Sequence, residues 1–279
     1  MVSPIVNGAC ECGYSLKDTG DYFTSSYSLD FNANAPEFAD HWIVQSYSTP
    51  ASGPDAPLPR KNNPENINIE DGNLVLKQSA YSAADKAAGR PVQIAEMEST
   101  EPDFFHGSFR ITSKLEIDGG AAEKGSCAGW FFFRDDNREL DIEALTWEDP
   151  FKIHYTSQPS RIAGRPIPGA TKGQQLSVPW SAYAEHRFDW LPGKVSFFEN
   201  SELNFETTVN VPEVGGPMLM NLWSNGNSWS GTPSTSDVYW RVQSIVMYYN
   251  TTSTDSGSDV AFNTACHAAG GKGSSTVCS

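Results

Sequence analysis

The chain has 279 residues, 38% of them hydrophobic and 19% charged, which is enough apolar material for a substantial core and argues against global disorder. Nineteen Lys and Arg against 34 Asp and Glu leave a formal net charge of −15, so phosphate backbones are repelled, nucleic acid is disfavoured, and sulfated or uronate-rich polymers fit less well than a neutral or cationic partner. No stretch approaches the ~18 consecutive apolar residues of a membrane span, so no membrane partner is expected.

In chain order, residues 1–60 are rich in Pro, Asn and Ser and carry few periodic runs. Asn66–Ile69 and Leu74–Leu76, separated by Glu70-Asp71-Gly72-Asn73, predict a hairpin. Residues 81–91 are the single helical candidate and end at Gly89-Arg90-Pro91. From residue 105 the pattern is strands. Ser108–Leu115 alternates, with Phe109, Ile111 and Leu115 on one face. Gly129–Arg134, Glu139–Leu145, Phe151–Gln158, Glu185–Asp189, Lys194–Glu199, Pro217–Trp223 and Val238–Tyr249 follow. Many short strands with Gly/Pro turns predict an all-β, antiparallel sandwich or barrel, read here as a single domain over 1–279. Segments 1–30 and 251–279 read as disulfide-tethered terminal extensions; the second is small and polar and would read as a disordered tail were it not for Cys266 and Cys278.

Five cysteines shape the ends: Cys10, Cys12, Cys127, Cys266 and Cys278. Cys10-Glu11-Cys12 is too short to close on itself comfortably. Disulfides from Cys10 and Cys12 to Cys266 and Cys278 are expected, with the connectivity open. The alternatives are free thiols or zinc, although a lone C-x-C lacks the usual zinc spacing. Cys127, ahead of an aromatic run, is expected to be a buried free thiol. Met1-Val2-Ser3-Pro4 shows no signal peptide, so the chain is either cytosolic or a mature secreted form. The cysteines favour secretion, and Asn250-Thr251-Thr252 offers a glycosylation sequon at Asn250.

The feature that points to chemistry is Glu139-Leu140-Asp141-Ile142-Glu143. Alternate residues of a strand share a face, so Leu140 and Ile142 turn into the core while Glu139, Asp141 and Glu143 stand together on the other side. Such a row beside Trp130-Phe131-Phe132-Phe133 is either a solvated acidic face or a pair of catalytic carboxyls with a third between them. A retaining glycosidase needs one carboxyl as nucleophile and one as acid/base, and the middle Asp would raise the acid's pKa. Two further strands bring polar groups to the same side. With Phe151, Ile153 and Tyr155 inward, His154, Thr156 and Gln158 share the opposite face. With Met218, Met220 and Leu222 inward, Asn221 and Trp223 do likewise, and Trp229 follows in a Gly/Ser/Asn loop. Together with Trp130 and Arg134, these aromatic and hydrogen-bonding groups are the expected lining of a sugar site.

These residues resemble glycoside hydrolase family 16, whose E-x-D-x-E signature matches Glu139–Glu143. His106-Gly107-Ser108-Phe109 is similar to its YG-x-F opening, and His186–Gly193 to its H-x-F-x-W-x-P strand and turn. Met218–Trp223 resembles the M-x-x-N-x-W strand of bacterial lichenases, and Val238–Tyr249 the closing strand. The resemblance covers roughly residues 65–250. It implies a curved β-jelly roll with a concave substrate cleft and retaining chemistry, with Glu139 as nucleophile, Asp141 as assisting carboxylate and Glu143 as general acid/base. The regular E-x-D-x-E spacing, without a bulge residue, resembles lichenases, xyloglucan-active enzymes and fungal wall transglycosylases. The Cys-bearing termini and Trp147 look like a fungal branch.

By this resemblance the chain is expected to be a secreted, monomeric endo-β-1,3- or β-1,3/1,4-glucanase acting on a neutral polysaccharide without a cofactor. A structural calcium ion of the lichenases uses an Asp where Ser244 stands, so no metal ligand is assigned. The alternatives are a wall transglycosylase acting on β-glucan, xyloglucan or chitin through the same intermediate, and a non-catalytic glycan-binding sandwich. The five His show no ligand spacing, and neither G-x-S-x-G nor a phosphate loop is present.

Overall fold

A computed structural model describes residues 10–120 and 125–278; residues 1–9 of the expected amino-terminal extension and residue 279 of the tail lie outside them. Alternating apolar residues place the long strands in two packed sheets, the all-β jelly-roll sandwich expected from the sequence. The first sheet runs in the order Glu202–Thr207, Lys194–Glu199, Ala184–Leu191, Phe104–Ile117, Val238–Thr251, Asn73–Gln78 and Ile67–Glu70. The second runs Thr171–Gln175, Lys152–Ser157, Arg138–Leu145, Cys127–Asp135, Met218–Trp223, Val92–Ser99, Arg60–Asn62 and Ser48–Thr49. Pairing is antiparallel except where Arg60–Asn62 runs parallel to Val92–Ile94.

The core lies between the sheets. Phe109, Phe188, Trp190 and Phe197 of the first meet Trp130, Phe132, Ile142, Tyr155 and Met220 of the second. Phe109 stacks on Phe188 at 5.0 Å, and Tyr155 on Phe197 at 5.0 Å between ring centroids. The predicted hairpin forms as Ile67–Glu70 and Asn73–Gln78, turning through Asp71 and Gly72, both at positive φ. The predicted helix is the single turn and a half of Ala83–Ala87, started by a capping box between Ser82 and Asp85.

Two sequence expectations need correction, and one element was not foreseen. Ser25–Asp30, assigned above to a terminal extension, is a strand of the first sheet, paired along Ser244–Tyr249. Its alternation is masked by serines at 25, 26 and 28. Phe151 does not point inward: the strand begins at Lys152, because Asp149 accepts the Phe151 amide in a turn and leaves that ring 38% exposed. The tail also holds a helix that the sequence reading did not foresee, Val260–Ala268. That helix buries none of its own residues, so hydrophobic periodicity gave no signal; Asp259 caps it by accepting from Phe262 N at 2.8 Å. Cys266 ties it to Cys12, and Cys278 is joined to Cys10, which settles the open connectivity. Cys127 is the free cysteine and is buried, as expected.

Candidate active site

The strand Arg138–Leu145 sits between Cys127–Asp135 and Lys152–Ser157. Its pairing is unbroken from Phe133↔Glu139 to Cys127↔Leu145, so no bulge rotates any carboxylate out of line. Leu140 and Ile142 are buried in the core, and Glu139, Asp141 and Glu143 share the opposite face. There they line a groove of about 270 Å³ with Tyr47, Arg60, Glu96, Gly129, Phe131, Phe133, Leu219, Asn221 and Trp223. Gly129 lies directly beside Glu143 in the ladder, and a Cβ there would come within 2.9 Å of Asn221 Oδ1. Glycine thus keeps the floor under Glu143 and Asn221 open.

Electrostatics set the three carboxyls apart. None of them forms an ion pair with Lys or Arg among the described residues. Burial pushes the Glu139 carboxyl up to about 7, with the charge of Glu143 adding to the rise and a hydrogen bond with Asp141 opposing it. Asp141, 3% exposed, is raised well above the ordinary Asp range, first by burial and then by the charges of Glu139 and Glu143. Gln158 Nε2 donates to Asp141 Oδ2 at 3.1 Å. These shifts fit a hydrogen bond between Glu139 and Asp141 in which Asp141, raised well above its ordinary range, is the donor. Glu143 is raised by burial, and this rise is opposed by donors from Cys127 and Trp229 and by the charge of His154. The groove therefore holds three carboxyls in one row that keep their protons to higher pH than usual, the groups a double displacement at an acetal carbon would draw on.

The other predicted residues divide. Asn221 and Trp223 line the groove; Asn221 Nδ2 donates to Glu96, while Asn221 Oδ1 is buried and has no hydrogen-bond donor among the described residues. Thr156 and His154 stand beside Asp141 and Glu143 in the ladder. His154 Nε2 is bonded to Glu148 Oε2 at 2.6 Å and its ring lies edge-on to Trp229, so it buttresses the site. Trp229 Nε1 donates to Glu143 Oε1 at 3.1 Å. Trp130 is corrected: strand parity pairs it with Ile142 and Met220, and it is 1% exposed in the core. Arg134 is also outside the groove, exposed at the irregularity between Phe133 and Asp135. Asn250 is held at both ends, accepting from Thr24 N and donating to Asp255 Oδ1 at 3.0 Å, so a glycan on its nitrogen requires that bond to open.

Sequence reasoning missed Tyr47, Arg60, Glu96, Phe131 and Phe133. The two Phe follow from the same parity that buries Trp130. Arg60 and Tyr47 come from the irregular segment before residue 62, and no periodic signal marks them. Arg60 lies 5.2 Å over the Trp223 ring, and Tyr47 donates to Glu96 Oε1 at 2.5 Å. Ser244 faces Asp30 and Thr112 across its neighbours, a thin donor set for a hard cation, and no step below uses a metal.

No family model matches the chain. A β-glucanase of Paenibacillus polymyxa is 26% identical over 175 residues, 60% of this chain and 66% of that protein. The chain thus spans just under two thirds of that relative. A β-glucanase of Paenibacillus macerans is 26% identical over 180 residues, 62% of this chain and 68% of its own. The solved β-glucanase of Bacillus licheniformis superposes with a TM-score of 0.62 at 17% identity, covering 80% of this chain and 97% of its own. At that identity the superposition shows a shared fold.

Proposed function

We propose that the chain belongs to glycoside hydrolase family 16 and is a retaining endo-β-glucanase that cleaves β-1,3- or mixed β-1,3/1,4-glucan. The observation that carries this reading is the unbroken row of Glu139, Asp141 and Glu143 in an aromatic-lined groove, with burial and mutual repulsion holding protons on a cluster that forms no ion pair with Lys or Arg among the described residues. The similarity to β-glucanases supports the substrate class.

In the first step Glu139 attacks the anomeric carbon while Glu143 gives its proton to the departing glycosidic oxygen, so the old C–O bond breaks as the ester to Glu139 forms. Asp141, protonated, hydrogen-bonds the Glu139 carboxylate before it attacks and again as it leaves the sugar in the second step. Glu143, now ionised, takes a proton from water, which attacks the same carbon and releases Glu139. Phe131, Phe133 and Trp223 offer apolar faces to sugar rings, and Glu96 offers an acceptor to hydroxyls. Cross-terminal disulfides fit an oxidising compartment, so secretion is part of the proposal. No described helix is long and apolar enough to cross a membrane.

A reducing-sugar assay across laminarin, lichenan, xyloglucan and chitin oligomers tests the reading. Cleavage of laminarin or lichenan is expected, with Glu139→Gln lowering the rate at least about 10³-fold in a protein of wild-type fold. Full activity in that variant, or no cleavage of either glucan by the wild type, overturns it.

A further inference from the structure

Cys127 is fully buried and lies on the groove side of its strand, one ladder position from the Gly129 that faces Glu143. Its Sγ is 3.1 Å from Glu143 Oε1, and the Trp229 indole nitrogen is also 3.1 Å from that oxygen. Two neutral donors therefore converge on one atom of the carboxyl.

We infer that Cys127 is a positioning residue for the acid/base: with the Trp229 indole it occupies Oε1 of Glu143, so that the proton delivered to the glycosidic oxygen sits on Oε2. This rests on the reading of Glu143 as the acid/base. An oxygen that accepts two hydrogen bonds is the carbonyl oxygen of the neutral acid, and the hydroxyl is left to its partner oxygen. In the first step the Oε2–H bond breaks and a new O–H bond forms on the leaving sugar. The resulting carboxylate keeps both donors, which strengthen once their acceptor is charged.

The choice of sulfur has a physical consequence. A thiol is a weak donor, so it orients the carboxyl while favouring ionisation less than a hydroxyl at the same distance would. Burial and the adjacent Glu143 push the thiol itself far above its ordinary range, so it remains a donor and does not become a competing anion. The second donor is held in place by the loop around it. Trp147 Nε1 donates to Trp229 O at 2.7 Å, Trp229 N donates to Asn227 Oδ1 at 3.0 Å, and the His154 ring lies edge-on at 4.7 Å. Gly231, at positive φ, lets Trp147 approach, since a Cβ there would lie 2.7 Å from its ring.

The titratable groups facing Glu143 are few. On its own strand stand Asp141 and Glu139; on one neighbouring strand Cys127; on the other His154, bonded to Glu148. Along the groove floor lie Glu96, Arg60 and Tyr47. Among these, Cys127 is the one whose removal deletes a direct donor to Glu143 without changing the charge of the site.

The test compares the wild type with Cys127→Ala and Cys127→Ser. Loss of one donor raises the pKa of Glu143, so the alkaline limb of the kcat/KM profile moves up by about 0.5–1 pH unit in Cys127→Ala, and Cys127→Ser returns it to or below the wild-type position. Trp229→Phe moves the limb the same way. An unmoved limb in a Cys127→Ala protein of wild-type melting temperature overturns the inference.

A second readout does not depend on activity. With the other four cysteines in disulfides, the protein has one S–H stretching band in the infrared. The inference expects that band, recorded at alkaline pH where Glu143 is ionised, at lower wavenumber in the wild type than in Glu143→Gln, where the acceptor is uncharged; identical bands refute the bond. If the wild type cleaves no glycan, the functional reading fails on its own, and the S–H comparison still upholds or refutes the thiol–carboxylate bond.

Discussion

Two sheet faces of this sandwich bury charge, and they treat it in opposite ways. On the outer face of the first sheet Arg187 is 1% exposed, yet its Nε donates to Asp189 Oδ1 at 2.7 Å and its remaining nitrogens meet Asp189 and Asp18. Its guanidinium also lies 4.5 Å over the Phe198 ring. Those carboxylates hold its proton more tightly than usual. On the groove face of the second sheet Glu139, Asp141 and Glu143 have no such partner, and their pKa values rise. A matched charge is part of the scaffold; an unmatched row kept buried in a groove is held for chemistry.

The comparison can be broken at either end. The largest effect belongs to the groove: Glu139→Gln removes catalysis while leaving stability unchanged or raised, because it deletes one of three repelling buried carboxyls. A melting temperature that falls together with activity would make Glu139 a structural residue. Asp189→Asn is the mirror case. It leaves the Arg187 charge short of its buried partner and costs about 3–5 kcal/mol in urea unfolding, with kcat of the folded fraction unchanged. A loss below ~1 kcal/mol would mean that the exposed Asp18 suffices alone.

The smallest effect concerns His186, buried on the core side of the same sheet beside Glu199, with Nδ1 unpartnered. Burial pushes its pKa down to about 4. Its folded value lies below its unfolded one, so its neutral form favours folding above about pH 6.5, and that contribution is lost as the pH falls from about 6.5 to 4. Roughly 3 kcal/mol disappears across that window in the wild type. His186→Gln should flatten the slope between those pH values, whatever its effect at neutral pH; an unchanged slope would show that other groups govern acid unfolding.

Period-two alternation carried most of the fold, since Leu140, Ile142, Met218, Met220 and Leu222 turn inward as the pattern requires. The same rule brings Glu139, Asp141, Glu143, Asn221 and Trp223 together. It was misapplied at Trp130 and Arg134, placed in the groove although their parity matches Phe132 in the core, and carried too far at Phe151, which precedes its strand. Elements whose stability does not come from alternation were illegible. The tail helix depends on Asp259 and a disulfide, and Ser25–Asp30 presents serines in a strand. Arg60 reaches the groove through a short parallel pairing that no local signal announces. Which donors converge on Glu143 depends on register and a loop 86 residues away, and that is a property of the folded chain alone.

The central claim, that the buried row is a nucleophile and an acid acting on an anomeric carbon, is tested most directly by trapping the intermediate. A 2-deoxy-2-fluoro β-glucoside of laminaribiose with an activated leaving group forms an ester that turns over slowly, and peptide mass spectrometry locates the sugar. The account predicts one glycosyl unit on Glu139. A label on Glu143 or on any other residue, or stoichiometric leaving-group release with no label, would contradict it.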